Sequence, residues 1–185
     1  MTLKSPSQVY DEILILKCQE GNRDAFDELV ARWQKRLWCY AVQVTGSESA
    51  AWDIVQETWV AIIKGLSKLK DATLFASWAF SILNNKYADW LRKQQVQLRL
   101  NNQIAVQAEN GPQRKQNSDE KTDSLKAVIE KLPPDRRALL SLRYQQDFDI
   151  SEIAEILAVP EGTVKSRLHR TLAELRQIMG ANQNG

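Results

Sequence analysis

Apolar residues in this chain recur at steps of three and four over two long stretches, about residues 9–93 and 123–179, separated by a segment in which that rhythm is missing. A period near 3.6 buries one face of a helix, whereas a half-buried strand needs a period of two. With 7 Gly and 5 Pro in 185 residues, the chain also has few of the turn residues that an all-β fold requires. The expected fold class is all-α, with two small helical domains joined by a flexible linker.

In the first stretch, Phe26, Leu29, Val30, Trp33, Leu37, Tyr40 and Val44 mark one face of a helix that Asn22 can cap and Gly46 can end. A shorter helix over about Val9–Gln19 precedes it. Another follows over about Ser47–Lys64, where Ala51, Val55, Trp59 and Ile62 share a face before Gly65 breaks the pattern. Thr73 is placed to cap a long helix that turns Phe75, Trp78, Ile82 and Leu83 inward and runs past Lys93. All 6 Trp, at positions 33, 38, 52, 59, 78 and 90, fall in these helices, and most are expected in the core of an aromatic-rich bundle.

From about Gln94 to Thr122 the chain becomes rich in Gln, Asn and charge, with Gly111-Pro112 as a breaker. A segment longer than the ~12–15 residues normal within a compact domain indicates separate units on either side. The expected division is residues 1–95 as the first domain, 96–122 as linker, 123–180 as the second domain and 181–185 as a disordered tail.

The second domain has its own punctuation. Pro133-Pro134 ends one helix and starts another to about Gln145, and Asp149 with Glu152 forms a capping box for a short helix to Leu157. Ala158-Val159-Pro160 turns the chain into a last helix over about Glu161–Met179, with Gly180 just beyond it. Small Ala154, Val159 in the turn, and inward Val164 and Leu168 give the spacing of a helix-turn-helix. Thr163, Ser166, Arg167 and Arg170 then project outward, flanked by Lys165 and His169, and offer hydrogen-bond donors to base edges and phosphates.

Other chemistry finds little foothold. The net charge of +2 does not by itself specify a polyanion partner, so any nucleic-acid surface has to come from local clustering. His169 is the one histidine, and no CxxC or HxxxH spacing exists to build a zinc site with it. GxGxxG and GxxxxGK[ST] are absent as well, so no cofactor and no catalytic residue are expected. Cys18 and Cys39 sit inside helical apolar patterns as small hydrophobes. No apolar run approaches the ~18 residues needed to cross a bilayer, and the expectation is a soluble cytoplasmic protein without membrane insertion.

The run LPPDRRALLSLRYQQDFDISEIAEILAVPEGTVKSRLHRTLAELR resembles region 4 of bacterial sigma factors, especially the extracytoplasmic-function (ECF) group. Independently, DIVQETW at Asp53 to Trp59 and SWAFSILNNKYADWLRK at Ser77 to Lys93 resemble the helices of that family's region 2. The resemblance implies a sigma factor that binds bacterial core RNA polymerase and promoter DNA and has an anti-sigma partner. It implies polymerase binding by Asp53, Gln56 and Glu57, and minus-10 strand binding by Lys68, Lys70, Asn84, Asn85, Lys86, Arg92 and Lys93. Minus-35 duplex binding falls to Thr163, Lys165, Ser166, Arg167, His169 and Arg170. Ala158 stands where the family often has a turn Gly, and Ala76, Ser81 and Asn84 stand where it often has Arg. The rival readings are a stand-alone helix-turn-helix regulator, which binds DNA without polymerase, and an enzyme with an appended DNA-binding module, which has no nucleophile, metal or cofactor constellation behind it.

Overall fold

The computed structural model describes residues 5–104, 128–129 and 131–181, and every regular element among them is helical. Helix α1 (Pro6–Gln19) begins earlier than apolar periodicity alone indicates. The cause is a polar cap: Ser5 Oγ accepts from the Gln8 amide while Gln8 Oε1 accepts from the Ser5 amide. Helix α2 (Arg23–Thr45) is capped by Asn22, whose Oδ1 accepts from the Ala25 amide at 3.0 Å, and is closed by Gly46 at φ 68°. Helix α3 (Glu48–Gly65) stops at Gly65, where a Cβ would come within 2.9 Å of the Trp78 ring. Glycine is required there by the approach of an indole.

Two 3-10 turns, Leu66–Lys68 and Ala72–Leu74, lead into α4 (Phe75–Ile104). Thr73 does not cap α4. It lies inside the second turn, and Asp71 caps that turn by accepting from the Thr73 amide at 2.9 Å. Helix α4 also continues past Gln94 into the segment whose composition marks a linker. Gln94, Gln95, Val96, Gln97 and Leu98 are all exposed there. Gln and Leu favour helix without any buried face, so this extension carries no apolar rhythm to read. The rest of the expected linker, residues 105–122, and tail residues 182–185 lie outside the described residues.

Helices α2, α3 and α4 bury Leu29, Trp33, Leu37, Tyr40, Ala51, Val55, Ile62, Phe75, Phe80 and Leu83 in one core, with the Trp33 and Phe75 rings meeting edge to face at 5.2 Å. Trp52 is the exception among the indoles, at 41% exposure.

The second half contains α5 (Pro134–Leu140), a wider π-turn over Ser141–Gln145, α6 (Ile150–Leu157) and α7 (Glu161–Ala181). The last helix runs through Gly180 instead of ending before it. Val128, Leu132, Leu140 and Leu175 form a core of its own, while Ile153, Ile156 and Val164 lock α6 to α7. The two halves also pack together, α5 against α2 and α6 against α4. The rings of Phe80 and Phe148 meet edge to face at 5.1 Å, and Arg36 donates from Nε to Gln146 Oε1 at 3.0 Å.

Ala158 ends α6 in the left-handed region at φ 52°, with its amide donating to the Glu155 carbonyl at 3.2 Å. A Cβ in that conformation costs about 1–2 kcal/mol, partly offset by the freedom glycine adds to the unfolded chain. Ala158→Gly is expected to stabilise the protein by about 0.5–1 kcal/mol, read as a rise in thermal unfolding midpoint. An unchanged or lower midpoint contradicts strain at this turn.

Candidate nucleic-acid interface

The turn between α6 and α7 places the last helix. Asp149 Oδ1 accepts from the Glu152 amide at 2.8 Å and from the Ser151 hydroxyl at 2.7 Å, and Glu152 returns a carboxylate to the Asp149 amide. These donors, the Glu152 amide first, hold the Asp149 carboxyl below its ordinary pKa. At the far end of the turn, the Val159 amide reaches the Ala154 carbonyl at 3.0 Å, so α7 leaves at an angle fixed by backbone bonds.

On α7, Val164 is fully buried and Leu168 half-buried, as the spacing requires. At roughly 100° per residue, Thr163, Ser166, Arg167 and Arg170 share the opposite face. Ser166, Arg167 and Arg170 are exposed, and Thr163 is half-buried. The Ser166 hydroxyl donates to the Thr163 carbonyl at 3.1 Å, which leaves its lone pairs directed outward. Lys165 and His169 are exposed but lie round the side of the helix, and Lys165 pairs with Glu161 at 3.2 Å. That pair, exposed at both ends, is worth ~0–1 kcal/mol and yields readily to a phosphate.

The first half presents a second set. Asp53, Gln56 and Glu57 are all exposed on α3. Glu57 faces α4, where Lys86 approaches it at 3.5 Å and Lys93 at 3.9 Å. The structure therefore joins residues that sequence reasoning assigned to two different partners, a carboxylate for protein and two ammonium groups for DNA. Lys68 and Lys70 are exposed in the turn before α4, Asn85 is exposed on α4, and Arg92 pairs with Asp89 one turn away. Asn84 is half-buried, and its Oδ1 accepts from the Tyr40 hydroxyl at 3.5 Å. Burial pushes the Tyr40 phenol well above its usual pKa, so it remains a donor.

Sequence reasoning missed Trp52, Val60 and Ile63, which are exposed on α3, and the Arg36–Gln146 bond between the halves. Trp52 was detectable in principle, because it lies off the face shared by Ala51, Val55, Trp59 and Ile62. Among the described residues no group of His, Cys, Asp and Glu could hold a metal ion, and no helix is long and apolar enough to cross a membrane.

Residues 29–96 match the family model for Sigma-70 region 2, and residues 122–175 match the one for Sigma-70, region 4. The chain is 28% identical over 174 residues to the ECF RNA polymerase sigma-E factor of Salmonella typhimurium (strain LT2), covering 88% of this chain and 91% of that protein. It is 27% identical over 174 residues to the ECF RNA polymerase sigma factor SigW of Bacillus subtilis (strain 168), covering 88% and 93%. Two solved structures share the fold. The sigma factor RpoE from Bartonella quintana, in complex with the anti-sigma factor NepR, aligns with TM-score 0.67 and 20% identity over 84% of this chain and 96% of that one. CnrH, in complex with the cytosolic domain of CnrY, aligns with TM-score 0.63 and 24% identity over 93% and 98%. With both regions matched in order along a helical chain, this protein belongs to the sigma-70 family. Within that family it is an ECF sigma factor, the group of its full-length relatives.

The capping carboxylate of the helix-turn-helix has a pH signature. Because the folded pKa of Asp149 is depressed, its contribution is present above the unfolded value of ~3.9 and is lost as pH falls through the folded value. Asp149→Ala is expected to cost about 1 kcal/mol near neutral pH. In denaturant titrations the gap between variant and wild type should narrow below pH ~4, and a gap constant down to pH 2 contradicts the capping role.

Proposed function

We propose that this chain is an alternative sigma factor that binds core RNA polymerase and directs initiation at its own promoters. In this reading α7 reads the minus-35 duplex, with Thr163, Ser166, Arg167 and Arg170 at base edges and Lys165 and His169 on the flanking backbone. Helix α4 and the turn before it hold the melted minus-10 strand, Lys68, Lys70, Arg92 and Lys93 along phosphates and Asn85 at a base. Asn84, turned toward Tyr40, acts by shaping that surface. Asp53, Gln56 and Glu57 dock on a basic element of the polymerase.

The observation that carries this proposal is the outward, uncapped face of α7 in the same chain as the exposed Asp53-Gln56-Glu57 face of α3. A DNA reader acting alone has no use for the second.

Separation of the two elements sets a further requirement. Twenty-five base pairs at ~3.4 Å each span about 85 Å, whereas α7, ~30 Å long, packs on an α6 that itself touches α4. The packed halves cannot hold both elements at once. Residues 105–127 can reach at most roughly 80 Å when fully extended, so the chain is long enough to allow the halves to part. Promoter opening needs no covalent chemistry from this chain, because binding energy for the unpaired strand shifts the duplex equilibrium. The chain works where the polymerase works, in the cytoplasm, and an anti-sigma factor is its expected inhibitor.

The direct test is transcription by bacterial core polymerase with and without the chain, start sites being mapped. New promoter-specific starts are expected with core and this chain alone. Arg167→Ala and Arg170→Ala should each weaken minus-35 recognition by about 1–3 kcal/mol, with core binding intact. Activity that appears only when another sigma factor is present would identify a regulator instead.

A further inference from the structure

The segment before α4 carries Lys68 and Lys70 on very short elements. Its first part, Leu66–Lys68, is a single 3-10 turn closed by the Leu69 amide, which donates to the Leu66 carbonyl at 3.1 Å. Leu66 is buried and Leu69 half-buried against the core, whereas Ser67, Lys68 and Lys70 are exposed. The two leucines fix where the turn sits on the bundle. Apolar contact is non-directional, so they do not set the orientation of the exposed peptides between them.

Directional contacts come from a residue remote in sequence. Gln19, the last residue of α1, donates from its side-chain amide to the Leu66 carbonyl at 2.9 Å and to the Leu69 carbonyl at 2.8 Å. Both N–H groups of one amide are thereby used, and two carbonyl partners fix which end of the side chain is nitrogen. The two bonds bracket Ser67 and Lys68. Gln19 is itself firmly placed, because α1 is anchored by buried Leu14 and Ile15 and packs against both 3-10 turns. Helix α1 is also tied to α2, by the Asp11–Arg32 pair at 2.6 Å and by the Tyr10 hydroxyl donating to Glu28 at 2.7 Å.

We propose that Gln19 is a positioning residue for the minus-10 strand, holding the Leu66–Leu69 peptides so that Lys68 and Lys70 stand preset for its phosphates. It acts through the turn and not by touching DNA. This rests on the proposal that those lysines hold the strand. A turn ordered in advance is not ordered at the expense of binding, so loss of the two bonds lowers the competent fraction and the apparent affinity together. The phosphates neutralised in the bound state stay the same in number, so the salt dependence is unchanged.

Strand affinity at several salt concentrations, measured on the full-length chain bound to core polymerase, separates ordering from contact. The probe is a fluorescein-labelled single strand selected from a random pool by the wild-type complex. Gln19→Met keeps side-chain length and helix propensity but has no donor. It is expected to weaken strand binding ~10-fold, with the salt slope and the affinity for core polymerase as in wild type. In the free chain it should also speed hydrogen exchange at the Leu69 amide ~10-fold. Lys68→Ala with Lys70→Ala should instead flatten the salt slope by about 1.4. Wild-type strand binding or wild-type exchange in Gln19→Met, beside a weakened lysine variant, overturns the role of Gln19 and leaves the strand face standing. A Gln19→Met defect that flattens the salt slope overturns that role as well. Wild-type strand binding by both variants, or no strand selected by the wild-type complex, overturns the strand face itself and the role of Gln19 with it.

Discussion

The edge-to-face contact of Phe80 with Phe148 joins a helix of the first half to the loop that launches the helix-turn-helix, and the placement of both halves depends on it. Phe80 and Phe148 are both buried, and burying each ring is worth about 1.5–3 kcal/mol. Arg36 adds hydrogen bonds to Gln146 and stacks its guanidinium on Trp33 at 4.4 Å. Burial works against its charge, and the Asp11 carboxylate offsets part of that. These contacts belong to one buried core that runs through both halves, from Leu37, Tyr40 and Phe80 to Leu139, Leu142, Phe148 and Ile153, so parting the halves exposes that core and needs the binding energy of a large partner.

That contact leaves the two working surfaces in different states. The outward face of α7 is exposed while the halves are packed, so the duplex recognition proposed for it needs no rearrangement of α6 and α7. Helix α4 is engaged on two sides. Phe80 meets the second half, and Lys86 and Lys93 lie near Glu57 of α3. A basic partner that takes Glu57 therefore leaves both ammonium groups without their nearest carboxylate, available to a phosphate backbone. In the proposed function, polymerase docking at Glu57 and strand binding at Lys86 and Lys93 draw on side chains that already pair with one another.

Much of this was legible in the sequence because local chemistry controls it. Asn22, Gly46 and Asp149 cap or close their helices as their positions imply, and Val164 and Leu168 turn inward on schedule. The outward Thr163, Ser166, Arg167 and Arg170 face follows directly from that burial. Legibility failed where two signals competed or where a contact spans the chain. Thr73 is drawn into the short turn before α4 instead of capping that helix, because the Asp71 carboxylate accepts from the Thr73 amide itself. Past Gln94 the helix exposes Gln95, Val96, Gln97 and Leu98 alike, so no buried face imposes a rhythm there, and α7 runs on through Gly180, a residue that commonly ends helices. Phe148 gave no sign of its partner, since one aromatic residue in a polar loop has no period. Trp52 lies off the face shared by Ala51, Val55, Trp59 and Ile62, so its exposure was readable from the helical period, but grouping it with the other indoles obscured that signal.

In the proposed function the packed halves part on the promoter, and an intramolecular distance reads that opening directly. A fluorescence donor at exposed Lys17 on α1 and an acceptor at exposed Gln177 on α7 report energy transfer in the free chain. High transfer is expected when the chain is alone, and a large loss when it is bound to core polymerase on promoter DNA. Transfer that remains as high in the transcribing complex as in the free protein would contradict a chain whose two halves must part to reach both promoter elements.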